Sequence, residues 1–191
     1  MSVDIKKESL VYEKINGKVI YYKNYELVLK GKKNLEEVMA DSAIQAVIKS
    51  EIAYYLYKTL RDKGYIVLAS EIGVKLKRGG YRGIDISIYK KEEVEKYSDS
   101  EHYLPISPIV AIEVDTKAQL EKISYMDYIY RKTQDLFQME TIKVIWILTK
   151  PKLVLIAQKE SWVIKNWNED IDVIENISFN LEKLLGGKIW A

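Results

Sequence analysis

Hydrophobic and polar positions change period several times along this chain, and each change marks an expected element. Two apolar-rich arms flank Asn16-Gly17. Residues 11–22 are therefore expected to form a β-hairpin, for which Asn-Gly is the strongest short signal. Asn34-Leu35-Glu36-Glu37 has a capping residue with Glu three positions on, and Ser42-Ala43-Ile44-Gln45 repeats the pattern. The second box should start the main helix, running through about Lys63. Its apolar stripe is Ile44, Val47, Ile48, Ile52, Tyr55, Leu56, Thr59 and Leu60, and Gly64 ends it.

Beyond the helix the period shortens. Strands are expected at 66–70, 74–76, 84–89 and 109–115, with Gly79-Gly80 turning the second into the third. A second helix should cover roughly 120–139. Val144-Ile145-Trp146-Ile147-Leu148 is wholly apolar, as a strand buried on both faces would be. Residues 152–158 and 161–167 read as a further hairpin, and 181–185 as a short helix. A strand–helix–strand unit inside this order implies an α/β fold, a mixed sheet flanked by helices.

Composition narrows the functional classes. The 191 residues fit one domain over 1–191, with the hairpin region, about 1–33, as an N-terminal extension. No apolar run approaches the roughly 20 residues that span a bilayer. The start, Met1-Ser2-Val3-Asp4-Ile5-Lys6-Lys7-Glu8, has no signal-peptide core. With 0 Cys there is neither a disulfide framework nor a thiolate site, so a cytoplasmic protein is expected. The net charge is only +2, so any grip on nucleic acid must come from a local basic patch.

Candidate chemistry lies in two acidic strands. Ile84-Asp85-Ile86-Ser87-Ile88 and Ile109-Val110-Ala111-Ile112-Glu113-Val114-Asp115-Thr116-Lys117 each set carboxylates into β-branched runs. Ionised carboxylates are costly to bury without a partner, and a divalent cation would remove that cost. Strand alternation would put Glu113, Asp115 and Lys117 on one side. Asp85 and Glu113 are then metal ligands, with Lys117 near an attacking water or the phosphate. The competing reading is a solvated strand face for Asp85 and a loop lysine for Lys117. Glu51 falls within the helical stripe and is expected to offer a third carboxylate. All-oxygen donors suit Mg²⁺ or Mn²⁺, whereas one His and no Cys argue against zinc.

Lys75-Leu76-Lys77-Arg78-Gly79-Gly80-Tyr81-Arg82 is the densest basic cluster. Lys75, Lys77, Arg78 and Arg82 are candidate phosphate contacts, and Tyr81 is a candidate base-stacking ring. The competing reading is a charged hairpin tip. His102 is given no role, and no nucleophile elbow or phosphate-binding glycine motif is present.

These residues resemble a known family. Gly83-Ile84-Asp85-Ile86-Ser87-Ile88, followed by Pro108-Ile109-Val110-Ala111-Ile112-Glu113-Val114, is similar to the Uma-two family of restriction endonucleases, in the PD-(D/E)XK nuclease superfamily. Lys132-Thr133-Gln134-Asp135-Leu136, leading to Lys143-Val144-Ile145-Trp146-Ile147-Leu148, resembles its helix-then-strand segment. The resemblance covers roughly residues 34–185. It implies a restriction-endonuclease-like core and metal-dependent phosphodiester cleavage. Asp85 would be the metal-binding Asp and Glu113 the acid of the E-x-K motif. Gly83-Ile84 replaces the usual Pro before the Asp, and Asp115 occupies the motif's Lys position. The lysine must then be Lys117, or Lys132 on the following helix.

Two readings result. In the first the chain is a Mg²⁺-dependent endonuclease: Asp85 and Glu113 hold the metal, Asp115 or Glu51 completes its shell, and Lys117 or Lys132 steers the water. In the second it is a nuclease-like fold without turnover, kept for nucleic-acid binding or assembly. The +2 charge and the missing motif lysine favour the second. Nucleic acid, DNA foremost, is the expected partner, with no membrane and with a homodimer as one admissible assembly.

Overall fold

A computed structural model of the chain describes residues 6–15, 17–120 and 124–186. Asn16 of the expected turn, residues 121–123 of the expected second helix, and the first five residues of the expected leaderless start lie outside the described residues. A short 3₁₀ turn leads into strands β1 (Val11–Ile15) and β2 (Lys18–Tyr21), which pair as the expected hairpin. Short helices α1 (Tyr25–Leu29) and α2 (Leu35–Met39) follow, the second capped by the Asn34–Glu37 box. The Ser42–Gln45 box then starts the main helix α3 (Ala43–Leu60).

Next come β3 (Tyr65–Leu68), β4 (Ile72–Lys75), β5 (Gly80–Ile84), β6 (Ile86–Lys90), α4 (Lys91–Val94) and β7 (Val110–Val114). Helix α5 (Tyr125–Gln138) crosses from β7 to β8 (Lys143–Leu148). The chain continues through the hairpin β9 (Leu153–Gln158) and β10 (Trp162–Asn166), the pair β11 (Ile171–Ile174) and β12 (Ile177–Phe179), and α6 (Leu181–Leu184).

The main sheet has the order β10-β9-β8-β7-β6-β3 and is mixed, its parallel contact being β7 with β8. A strand and its parallel neighbour need a crossover of a dozen or more residues, and α5 supplies it. Strand alternation divides β7 between two cores. Val110, Ile112 and Val114 pack with Ile48, Ile52 and Leu56 of α3. Ala111 faces the other way, into the layer holding Ile129 and Leu136 of α5. Glu113 shares the parity of Ala111, so it points towards α5.

A smaller antiparallel sheet, β2-β1-β5-β4, stands beside the first. The single strand expected over 84–89 is corrected here: it is two strands in two sheets, with Asp85 at the bend. Ile84 pairs with Ile72 in the small sheet, while Ile86 pairs with Ile112 in the large one. The register of β6 on β7 would next pair residue 84 with Val114, but Ile84 has already left. A buried backbone N–H needs a partner, and the Asp85 carboxylate provides it, accepting from Val114 N–H at 2.8 Å. The acidic residue is thus what lets the strand change sheets. Among the described residues no helix is long and apolar enough to cross a membrane.

Candidate active site

The bend at Asp85, the end of β7 and the inner face of α5 meet around a chain of buried charges. Asp85 is buried, with Oδ2 on Val114 N–H and Oδ1 2.6 Å from Lys49 Nζ of α3. Glu113 is 2% exposed, and its Oε1 lies 2.9 Å from Lys132 Nζ. Lys132 reaches it because position 132 falls one turn after Tyr128 and one before Leu136, on the buried stripe of α5. Placed there without exposure to solvent, its ammonium requires carboxylates. It has two, the other being Glu13 of β1, with Oε1 at 3.2 Å.

Glu13 is the residue that sequence reasoning missed. A register shift between Val11 and Glu13 in the β1–β2 pairing turns Tyr12 and Glu13 both inward, against the simple alternation. Its Oε2 accepts from Arg82 Nη1 at 2.6 Å and from the Tyr128 hydroxyl at 2.9 Å. Arg82 in turn donates to Asp135 Oδ2 through Nη2 at 2.6 Å and Nε at 3.1 Å. The available signal was a Glu inside an apolar strand, the same signal that singled out Glu113.

The proton affinities follow from this sharing. Burial alone would raise the Glu13 carboxyl, but Lys132 and Arg82 reverse that and hold it below the usual range. Glu113 has no guanidinium. Burial pushes its carboxyl up to about 8 despite Lys132, and Asp85 and Glu13 add to the rise. Lys132 is held charged: burial opposes the charge, and Glu113 and Glu13 together outweigh it. One ammonium is divided between two carboxylates, and Glu113 receives too little.

A second group of charges flanks the first. Lys49 also holds Asp41 at 2.8 Å, and Lys117 lies 3.0 Å from Asp41 and 3.9 Å from Glu71. Glu71 has φ 53°, and its side chain lies over Gly83, where a Cβ would meet Glu71 Cγ at 3.2 Å. Burial raises the Glu71 carboxyl, Lys117 counters, and Asp85 adds to the rise. These half-buried groups are more open to solvent than Glu113 and Lys132.

Several expectations are corrected by this geometry. Glu51 is exposed, because α3 turns Ile48, Ile52 and Leu56 inward and sends Gln45 and Lys49 to the site. Two residues beyond Lys49, about 200° around the helix, Glu51 points elsewhere. Asp115 does not share the face of Glu113. Strand β7 ends at Val114, Asp115 takes φ 54°, and its carboxylate accepts from Thr149 N–H at 2.9 Å and Thr149 Oγ1 at 2.6 Å. With the strand over, alternation no longer carries Lys117 to Glu113 either. Arg82 is 1% exposed and committed to Glu13 and Asp135, so it is no phosphate contact. Lys75, Lys77 and Arg78 are exposed, and Tyr81 is half-buried against Tyr103, ring centroids 4.9 Å apart.

Whether a divalent cation fits is a question of donors. Among the described residues no three His, Cys, Asp or Glu side chains group as a metal site. Two carboxylates with water and substrate oxygens are nevertheless enough for Mg²⁺. Glu113 Oε1 is buried without a hydrogen bond and is met by charge alone. The oxygen donors of Asp85 and Glu113 are of the kind a hard cation takes, but Asp85 Oδ1 is occupied by Lys49 and Oδ2 by Val114 N–H.

Known proteins share the family and the fold of this chain. A family model described as "Putative restriction endonuclease" matches residues 23–174. The crystal structure of "a putative nuclease belonging to DUF820" from Anabaena variabilis has the same fold, with TM-score 0.67 and 13% identity over 94% of this chain and 92% of that one. No curated protein matches the chain.

Proposed function

Because this chain belongs to the Uma2 restriction-endonuclease family, we propose that it is a metal-dependent nuclease that hydrolyses phosphodiester bonds of DNA. The observation that carries the reading is the contact of Lys132 with Glu113 at 2.9 Å, beside an Asp85 tied to Val114 N–H. It supports the acid–acid–lysine set of the family with the lysine supplied by α5 instead of position 115. Asp85 and Glu113 hold the cation. When bound, Mg²⁺ or Mn²⁺ lowers the pKa of a coordinated water and offsets charge on the phosphate.

The chain's own groups do the rest. Lys132, shielded from solvent, orients the Glu113 carboxylate and adds positive charge behind it. Lys49 and Lys117, partly open at the mouth, attract the phosphate. Lys75, Lys77, Arg78 and Tyr81 hold the flanking nucleic acid by backbone charge and stacking. A cytoplasmic location belongs to the same reading, and a homodimer is one assembly it admits.

One observation favours the second reading, a nuclease-like module without turnover: Lys49 already neutralises Asp85 at 2.6 Å, where a cation would have to compete. A cleavage assay over single- and double-stranded DNA and RNA, with Mg²⁺, Mn²⁺ or EDTA, separates the two. Metal-dependent products that disappear in Asp85→Ala establish the nuclease. Binding without cleavage under every metal condition establishes the module.

A further inference from the structure

Residues 23–174 carry the family match, yet one side chain of the buried charge chain comes from outside them. Glu13, on the N-terminal hairpin, is 0% exposed. Its two oxygens divide their work. Oε2 is bound to Arg82 and Tyr128, which anchor it, while Oε1 makes no hydrogen bond and faces Lys132 at 3.2 Å. Lys132 Nζ likewise forms no hydrogen bond and stands between Glu13 and Glu113. An ammonium held by charge alone sits where its two carboxylates pull it. Without Glu13 the pull on the side away from Glu113 is gone, and the ammonium is free to shift around the Glu113 carboxylate.

We infer that Glu13 is a positioning residue of the site, setting the place of Lys132 relative to Glu113, so that the N-terminal hairpin belongs to the machinery and not only to the fold. This rests on the nuclease reading for its catalytic consequence, but the Glu13–Lys132 relationship is measurable without turnover. A misplacement of about 1 Å in a catalytic constellation can cost on the order of 10²-fold, and buried outer partners of a site typically contribute 10–100-fold.

The test compares Glu13→Gln with Asp135→Asn. Both damage the Arg82 network, but Asp135 pairs with Arg82 and not with Lys132, so it serves as the structural control. Cleavage kinetics are read at a temperature where circular dichroism shows each variant folded. Glu13→Gln should lose about 10–100-fold in kcat with KM within about threefold, whereas Asp135→Asn keeps kcat. In parallel, NMR of protein labelled at lysine Nζ, with the Lys132 signal assigned by its loss in Lys132→Met, should show that signal displaced in Glu13→Gln and unmoved in Asp135→Asn. If Glu13→Gln does not fold, Glu13→Asp, which keeps the charge but withdraws it from Lys132, should show the same kcat loss and signal shift. Equal kcat in the Glu13 and Asp135 variants, or an unmoved Lys132 signal, overturns the inference. A parent protein that cleaves nothing overturns the nuclease reading instead, while the NMR comparison still decides the positioning.

Discussion

Asp85 Oδ2 accepts the backbone N–H of Val114 at 2.8 Å, so the acid at the bend between the two sheets is tied to the residue that follows Glu113. The Asp85 carboxylate is thereby fixed to β7 one residue beyond Glu113, independently of any bound ion.

Replacing Asp85 by Asn keeps an acceptor for Val114 N–H and removes the charge. Calorimetric titration with Mn²⁺ should show affinity falling at least about tenfold, with Tm nearly unchanged. Asp85→Ala, which strands the N–H, should in addition lose about 1–3 kcal/mol in urea unfolding. Unchanged Mn²⁺ affinity in Asp85→Asn would remove Asp85 from the metal.

The two lysines separate by burial. Lys132→Met leaves Glu113 buried without its counter-charge and Glu13 with Arg82 alone, and should cost about 3–5 kcal/mol. Lys117→Met touches a partly solvated cluster, where an ion pair contributes about 0–1 kcal/mol. In cleavage assays Lys132→Met should abolish turnover, whereas Lys117→Met should mainly raise KM. A fully active Lys132→Met protein would contradict the assignment.

Glu113 makes the metal-free protein sensitive to alkali. Its carboxyl is raised on folding to about 8, so the folded state binds the proton more tightly than the unfolded one. The corresponding stability is complete below the ordinary carboxyl value of 4.5 and is lost as pH rises through about 8. Thermal unfolding in EDTA should therefore show Tm falling between these limits, and Glu113→Gln should flatten that slope. Glu13, lowered on folding, acts oppositely: its contribution is lost as pH falls through its folded value. A Tm that rises through neutral pH in EDTA would refute the account of Glu113.

The basic hairpin tip and Arg82 should part company. Alanine at Lys75, Lys77 and Arg78 together should weaken oligonucleotide binding and leave stability unchanged. The salt slope of binding should shrink by roughly 0.7–0.9 for each phosphate no longer neutralised. Arg82→Met should instead cost about 3–5 kcal/mol by removing the guanidinium that joins buried Glu13 to Asp135. Fluorescence anisotropy at several salt concentrations, alongside denaturant melts, reads both.

Local signals made much of the fold legible. The Ser42–Gln45 box starts α3, the apolar run at 144–148 lies within β8, and the hairpin arms pair as expected. The break at Asp85 was not legible. Ile84-Asp85-Ile86 alternates like one strand, and only the departure of Ile84 to a second sheet shows that it is two. The site divides in the same way. Asp85 and Glu113 stand out as acids in apolar runs, whereas Lys132 looks like any polar helical residue until α5 is laid on β7. Glu13 and Lys49 depend on contacts across 69 and 36 positions, from Glu13 to Arg82 and from Lys49 to Asp85, that no local period encodes. The register shift in β1 also breaks the alternation by which Glu13 would have been judged.

The crossover through α5 frees one chain position for a different task. Since α5 must bridge two parallel neighbours, its inner face is held against β7 whatever residue occupies position 115. The Lys132 ammonium reaches Glu113 from the helix, and the turn after Val114 need carry no group to it. Position 115 is left to other employment, and Asp115 is the clasp that fastens Thr149 at the end of β8.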